Sequence, residues 1–139
     1  MTTKSSGFSL IELMVVVAII GILAAVGTVT YSGYIAGTKK TSAKNVMQQI
    51  SLAQTEEYTN TGGYLTQGDT CDPDGVTSTD INTRLFGDGD VIDDGVGYEM
   101  CIYAVGNGYT IKAAEDGDTA DGCTIELTQN GAWSENTNC

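Results

Sequence analysis

The chain has no histidine among its 139 residues. It therefore lacks the usual base of serine–histidine–aspartate sites, the usual proton shuttle near neutral pH, and the commonest nitrogen ligand of transition metals. Its four cysteines include no C-x-x-C pair, which argues against a zinc site. We find no catalytic constellation and expect a protein that is not an enzyme and needs no cofactor.

Basic residues are also scarce, with six lysines and arginines against 18 acidic residues and a net charge of -12. The imbalance lies in the second part of the chain, where 17 acidic residues from Glu56 onward face only Arg84 and Lys112. Nucleic acids and anionic membrane surfaces carry the same sign of charge. We therefore expect no direct binding to nucleic acid.

Charge is almost absent from residues 8–29, which read FSLIELMVVVAIIGILAAVGTV and contain only the carboxylate of Glu12. About 20 apolar residues suffice to cross a bilayer as a helix. A carboxylate at the centre of such a helix costs about 2.5 to 3.5 kcal/mol, so Glu12 predicts a positively charged partner. A secretory signal peptide ending at residues 25–27 fits poorly because of this charge. A simple membrane anchor explains neither Glu12 nor the glycine at position 7.

Proline is missing from the next stretch as well, since the only proline is Pro73. Nothing therefore stops the helix after Val29, and apolar residues recur there at helical spacing on one face: Ile35, Ala36, Ala43, Val46, Met47, Ile50 and Ala53. The pattern predicts one helix over residues 8–59, about 78 Å long at 1.5 Å per residue.

The remainder of the chain predicts an α+β fold. Residues 61–96 are rich in glycine, aspartate and threonine, which predicts a long loop with at most a short helix around residues 80–85. Alternating apolar residues and turn signals then predict an antiparallel meander of four strands at residues 97–105, 109–114, 123–127 and 132–134.

Gly7 followed by Phe8-Ser9-Leu10-Ile11-Glu12-Leu13 resembles the class III leader junction of bacterial type IV pilins and pseudopilins. The resemblance implies that a prepilin peptidase cleaves after Gly7 and methylates the new amino group of Phe8. It also supplies a partner for Glu12, namely the N-terminal amine of the adjacent subunit in a fibre. An ion pair kept despite its desolvation cost is best justified where it fixes register between subunits.

The same resemblance implies the organisation of the whole chain as a pilin fold. Residues 1–7 are expected to be a removed leader, residues 8–29 the membrane and fibre-core half of the helix, and residues 30–59 its amphipathic half. Residues 60–139 are expected to form a globular head. All four cysteines lie in that head. A disulfide-bonded head is expected on the oxidising side of a membrane. Four cysteines allow three pairings, of which the resemblance favours Cys123 with Cys139 and, with it, Cys71 with Cys101.

The expected function is a structural subunit, major or minor, of a type IV pilus. Its implied partners are other pilin subunits in a homo- or hetero-polymer, prepilin peptidase, and the inner-membrane pilus assembly machinery. The implied location is the inner membrane with a periplasmic head, then a surface filament. A type II secretion pseudopilin and a membrane-anchored acidic binding domain that never polymerises are the alternatives.

Two charged regions have open interpretations. The lysine cluster Lys39, Lys40 and Lys44 is either a solvated helix face or a patch that meets acidic groups of neighbouring subunits. Asp72, Asp74 and Gly75 match part of a calcium-binding EF-hand loop, but the ligand set is incomplete. Acidic turns facing solvent are the simpler interpretation, and we expect no metal site.

Overall fold

A computed structural model describes residues 7–139, so the predicted leader, apart from Gly7, lies outside the described residues. In chain order, the elements are α1 (Leu10–Thr61), α2 (Gly75–Phe86), β1 (Tyr98–Val105), β2 (Gly108–Glu115), β3 (Thr124–Thr128) and β4 (Trp133–Glu135). The predicted α+β fold is confirmed.

Helix α1 is one continuous helix of 52 residues, close to the predicted range of 8–59. It runs through two compact units of the chain, one ending at Gly37 and the other formed by Thr38–Cys139. From Leu10 to Tyr34, within the first unit, the apolar side chains are exposed all round the helix. By length and composition alone, α1 qualifies as a helix that could cross a membrane.

The second unit contains a four-stranded sheet in the order β1-β2-β3-β4, with every neighbouring pair antiparallel. The register places Ile111 of β2 between Ile102 of β1 and Leu127 of β3. The glycine and asparagine at residues 106–107 turn the chain between β1 and β2. The predicted meander is therefore present.

One face of α1 and one face of this sheet share the hydrophobic core. The helix contributes Ala43, Val46, Met47 and Ile50, which follow the predicted helical spacing. The predicted stripe was too long, because Ala36 is exposed and Ile35 and Ala53 are only partly buried. The buried stripe instead ends on a polar residue, Gln54.

Helix α2 corrects the prediction of a loop with at most a short helix around residues 80–85. Its start is fixed by a reciprocal cap: Asp74 Oδ1 accepts the backbone N–H of Thr77 at 2.7 Å, and Thr77 Oγ1 accepts that of Asp74 at 2.9 Å. These bonds satisfy helix N–H groups that have no partner inside the helix. Gly87 ends the helix in a left-handed conformation, with φ of 59°. Asp74 is therefore a cap, not the EF-hand ligand considered above.

Side-chain amides hold the two irregular connections, residues 62–74 between α1 and α2 and residues 87–97 between α2 and β1. Gln54 bonds both backbone groups of Leu65, and Asn82 does the same for Ile92. Gln67 Oε1 accepts the N–H of Ile102 on the outer edge of β1. Each amide presents a donor and an acceptor together, as a strand backbone does. Backbone groups in these connections and at the edge of β1 are therefore hydrogen-bonded by side chains, as they would be by a neighbouring strand.

Two disulfides tie the remaining irregular segments to the sheet. Cys71 is bonded to Cys101 of β1, and Cys123 is bonded to Cys139. The structure thus has the pairing that the resemblance favours. Asn136 adds a second tie at the C-terminal end, since its Oδ1 accepts the N–H of Thr124 at 3.0 Å.

Candidate functional site

The start of α1 is built by two residues that bond each other. The N–H of Ser9 donates to Glu12 Oε2 at 2.8 Å, and the N–H of Glu12 donates to Ser9 Oγ at 3.3 Å. This arrangement is a capping box, in which two N–H groups of the first turn are satisfied reciprocally. It explains why the helix begins at Leu10, immediately after Ser9.

Gly7 and Phe8 consequently lie outside the helix, in non-helical backbone. The side chain of Phe8 is 88 % exposed. A Cβ atom added at Gly7 would meet no other atom within 4 Å. Nothing in the described chain therefore requires glycine at this position, and a requirement would have to come from a molecule that contacts it. The peptide bond between the two residues is open to such a molecule.

Glu12 lies in strongly apolar surroundings. It shares a groove of about 310 Å³ with Phe8, Ile11, Val15 and Val16. Within residues 7–139, no ion pair includes Glu12. The candidate partner Lys4 lies outside the described residues. The predicted positive partner of Glu12 is thus not found in the part of the chain that the structure describes.

The lysine cluster contacts acidic groups of its own chain. Lys40 and Lys44 each place their Nζ atom 2.5 Å from a carboxylate oxygen of Glu135, and Lys39 lies 4.0 Å from Asp116. Hydrogen bonds from Lys40 and Lys44 lower the pKa of Glu135. Neither a purely solvated face nor a patch reserved for neighbouring subunits describes this cluster, because it joins α1 to β4 and to the β2–β3 turn.

The acidic turns were the other candidate site. Among the described residues, no group of three or more histidine, cysteine or acidic side chains is placed to hold a metal ion. Asp118 Oδ1 instead accepts the backbone N–H groups of Ala120 and Asp121 at 3.0 and 3.1 Å. These two bonds lower the pKa of Asp118. The carboxylate of Asp118 therefore shapes its own turn.

Sequence reasoning placed Gly7, Phe8 and Glu12 in the site but overlooked Ser9. The structure brings Ser9 and Glu12 into contact and leaves Gly7 and Phe8 exposed before them. The signal was present, because serine followed three residues later by glutamate, before an apolar run, is the pattern of a capping box.

A comparison with known protein families points to the same segment. Residues 2–28 match the family model described as the prokaryotic N-terminal methylation motif. The chain is 40 % identical over 85 residues to a fimbrial protein of Neisseria meningitidis, covering 60 % of the chain and 48 % of that relative. It is 45 % identical over 64 residues to a type IV major pilin protein of Neisseria gonorrhoeae, covering 46 % and 39 %.

A third relative matches nearly the whole chain. The type IV major fimbrial protein FimA of Dichelobacter nodosus is 33 % identical over 128 residues, which cover 92 % of this chain and 69 % of that relative. The matches to the two Neisseria proteins span less than half of their length. No solved structure gave a significant match.

Proposed function

The chain belongs to the type IV pilin family, and from that premise we propose that it is a structural subunit of a bacterial type IV pilus. The role is structural and assigns no catalytic residue. The observation that carries the proposal is the start of α1, where the carboxylate of Glu12 accepts the N–H of Ser9 in the first turn of an exposed apolar helix. An exposed apolar surface of this extent marks contact with a membrane or with other proteins.

Maturation is proposed to begin at the exposed junction before α1. A prepilin peptidase cleaves after Gly7 and methylates the amino group of Phe8. Two features support this step: both residues lie outside the helix, and neither is enclosed by other parts of the described chain. The capping box keeps the helix from extending back over the junction, because Ser9 supplies the cap.

Glu12 is proposed as the assembly contact. Its carboxylate lies among apolar side chains and is not ion-paired within residues 7–139. In the filament, the N-terminal amine of the adjacent subunit supplies the positive charge. The pair selects one register among the many that apolar packing alone would allow.

The rest of the chain is assigned roles consistent with this assembly. Residues 8–29 reside in the inner membrane before assembly and in the fibre core afterwards, while residues 30–59 support the head formed by residues 60–139. The head lies on the periplasmic side, where the two disulfides can form, and then on the filament surface. The partners are other pilin subunits, the prepilin peptidase and the assembly machinery of the inner membrane.

Replacing Glu12 by glutamine in a piliated host tests the proposal. Leaving one member of a buried ion pair without its partner costs about 3 to 5 kcal/mol, so we expect few or no filaments in the sheared fraction. The head should stay folded, as judged by circular dichroism of the protein in detergent. Glu56→Gln is the matched control, since Glu56 is an exposed residue of the same helix. Normal piliation by the Glu12→Gln variant would reject the register role, and absence of the wild-type chain from filaments would reject the function.

A further inference from the structure

Two exposed tyrosines follow the apolar run of α1. Tyr31 is 67 % exposed and Tyr34 is 70 % exposed. Residues three apart in a helix are neighbours on its surface, so the two rings lie on the same side. Tyrosine combines an apolar ring with a polar hydroxyl, and it is enriched where a membrane-spanning helix passes from hydrocarbon to lipid headgroups. The pair therefore has the chemistry of a headgroup anchor.

Glu12 lies one membrane thickness before these tyrosines in the same continuous helix. At a rise of 1.5 Å per residue, Glu12 is about 28 Å from Tyr31 and about 33 Å from Tyr34 along the axis. The hydrocarbon layer of a bilayer is about 30 Å thick, which lies between these two lengths. A helix that holds both tyrosines at one interface thus places Glu12 at the other.

The helix between these two levels suits hydrocarbon. No aspartate, glutamate, lysine or arginine occurs in residues 13–38. Three hydroxyl groups lie near the tyrosines, and each donates to a helix carbonyl three or four residues earlier at 3.1 to 3.2 Å: Thr28, Thr30 and Ser32. Polar groups in a bilayer must be satisfied within the protein. These hydroxyls meet that requirement without water.

The same placement accounts for the position of Glu12. A carboxylate is costly at the centre of a bilayer and is tolerated near an interface, where water reaches it. If the apolar run of residues 8–29 were centred on the bilayer, Glu12 would lie about 5 Å inside the hydrocarbon. Tyrosines held at the opposite interface leave it at the boundary instead.

We propose that Tyr31 and Tyr34 bind the lipid headgroup region and hold Glu12 at the headgroups of the opposite leaflet before assembly. The inference rests on the proposed function, in which the chain resides in the inner membrane before it enters a filament. The segment that crosses the hydrocarbon is then residues 13–31, centred at Ile22. The apolar run alone would be centred at residues 18–19.

Spin labels measure this depth in the full-length chain, reconstituted into vesicles of phosphatidylethanolamine and phosphatidylglycerol. All four native cysteines are in disulfides, so a thiol-specific label attaches only to an introduced cysteine. Five single variants place the label one helical turn apart: Met14→Cys, Ala18→Cys, Ile22→Cys, Val26→Cys and Thr30→Cys. Relaxation of the label by oxygen, which concentrates in hydrocarbon, is compared with relaxation by a water-soluble nickel chelate.

The ratio of oxygen to nickel relaxation should be greatest at Ile22 and should fall by similar amounts at Ala18 and Val26. A maximum at Ala18 or at Val26 would overturn the depth and leave the pilus function intact, because filament formation is measured separately in a piliated host. Labels that the nickel chelate relaxes at all five positions as in water would overturn both the depth and the membrane residence on which the proposed function depends.

Variants of the tyrosines test the anchor itself. The double variant Tyr31→Ala and Tyr34→Ala should move the maximum from Ile22 towards Ala18, because the apolar run then sets the depth alone. Tyr31→Trp with Tyr34→Trp keeps amphipathic rings and should leave the maximum at Ile22. Tyr58→Ala is the matched control, since Tyr58 is 47 % exposed in the same helix but lies beyond the span. An unchanged profile in the double alanine variant, or an equal shift in the control, would overturn the anchoring role.

Discussion

Glu12 Oε2 accepts the backbone N–H of Ser9 at 2.8 Å, so the one acidic group in the apolar part of α1 is already hydrogen-bonded within its own chain. This bond has two consequences. It fixes where the helix begins, and it holds the carboxylate at the N-terminal end of the helix, where a negative charge is favourable. The same carboxylate is the group that we propose to meet the amine of a neighbouring subunit.

Ser9→Ala should weaken the first turn of α1. Loss of a serine cap typically costs about 0.5 to 2 kcal/mol, so the backbone amides of Glu12 and Leu13, which donate to Ser9, should exchange with solvent faster in detergent micelles. Ser9→Thr keeps a hydroxyl at the cap and should retain most of the protection. Equal exchange rates in the alanine variant and the wild type would show that the Ser9 hydroxyl does not stabilise this turn.

Gln54→Leu should destabilise the head although it removes a polar group from the core. The Gln54 side chain donates to the carbonyl of Leu65 at 2.7 Å and accepts its N–H at 2.9 Å. Leucine would leave both buried groups of Leu65 without partners, at a cost of about 1 to 3 kcal/mol for each. The midpoint of urea unfolding measures this loss. Gln49→Leu, at an exposed position of the same helix, should change the midpoint little.

Gln54 and the apolar residues that precede it in α1 show what the sequence could and could not reveal. The helical spacing from Ala43 to Ile50 predicts the buried stripe, because apolar periodicity is a local property. Gln54 gave no such signal, since its partner Leu65 belongs to a loop. Helix α2 was predicted too short, at most residues 80–85, because glycine, aspartate and threonine favour turns by composition, whereas Asp74 and Thr77 act together as a cap.

The charged residues show the same limit over longer separations. The resemblance at Gly7, Phe8 and Glu12 depends on consecutive residues and could be recognised from the sequence. The partner of Lys40 lies 95 residues further along the chain, at Glu135. Such a pair is set by the docking of β4 beside α1, which no local pattern encodes.

Acid should loosen the attachment of β4 to α1. Hydrogen bonds from Lys40 and Lys44 lower the pKa of Glu135 in the folded chain below its ordinary value of 4.5. The stabilisation is therefore present above that value and is lost as the pH falls through the lowered pKa. Both pairs are partly exposed, so each contributes about 0.2 to 1 kcal/mol.

The pH dependence of thermal unfolding tests this linkage. The wild type should lose more stability than Glu135→Gln between neutral pH and the acid side of the Glu135 pKa, because glutamine cannot be protonated there. Identical pH profiles for the two proteins would show that Glu135 contributes nothing to the linkage. High salt should reduce the difference between them, since exposed charges are screened.

Cleavage of the peptide bond between Gly7 and Phe8 is the step on which the proposed maturation and assembly both depend. Mass spectrometry of the N-terminal peptide, taken from the protein in a piliated host, measures this directly. We predict a mature chain that begins at Phe8 and carries one methyl group on its amine. A mature chain that begins at Met1, or at Thr28, would contradict cleavage after Gly7 and with it the proposed assembly through Glu12.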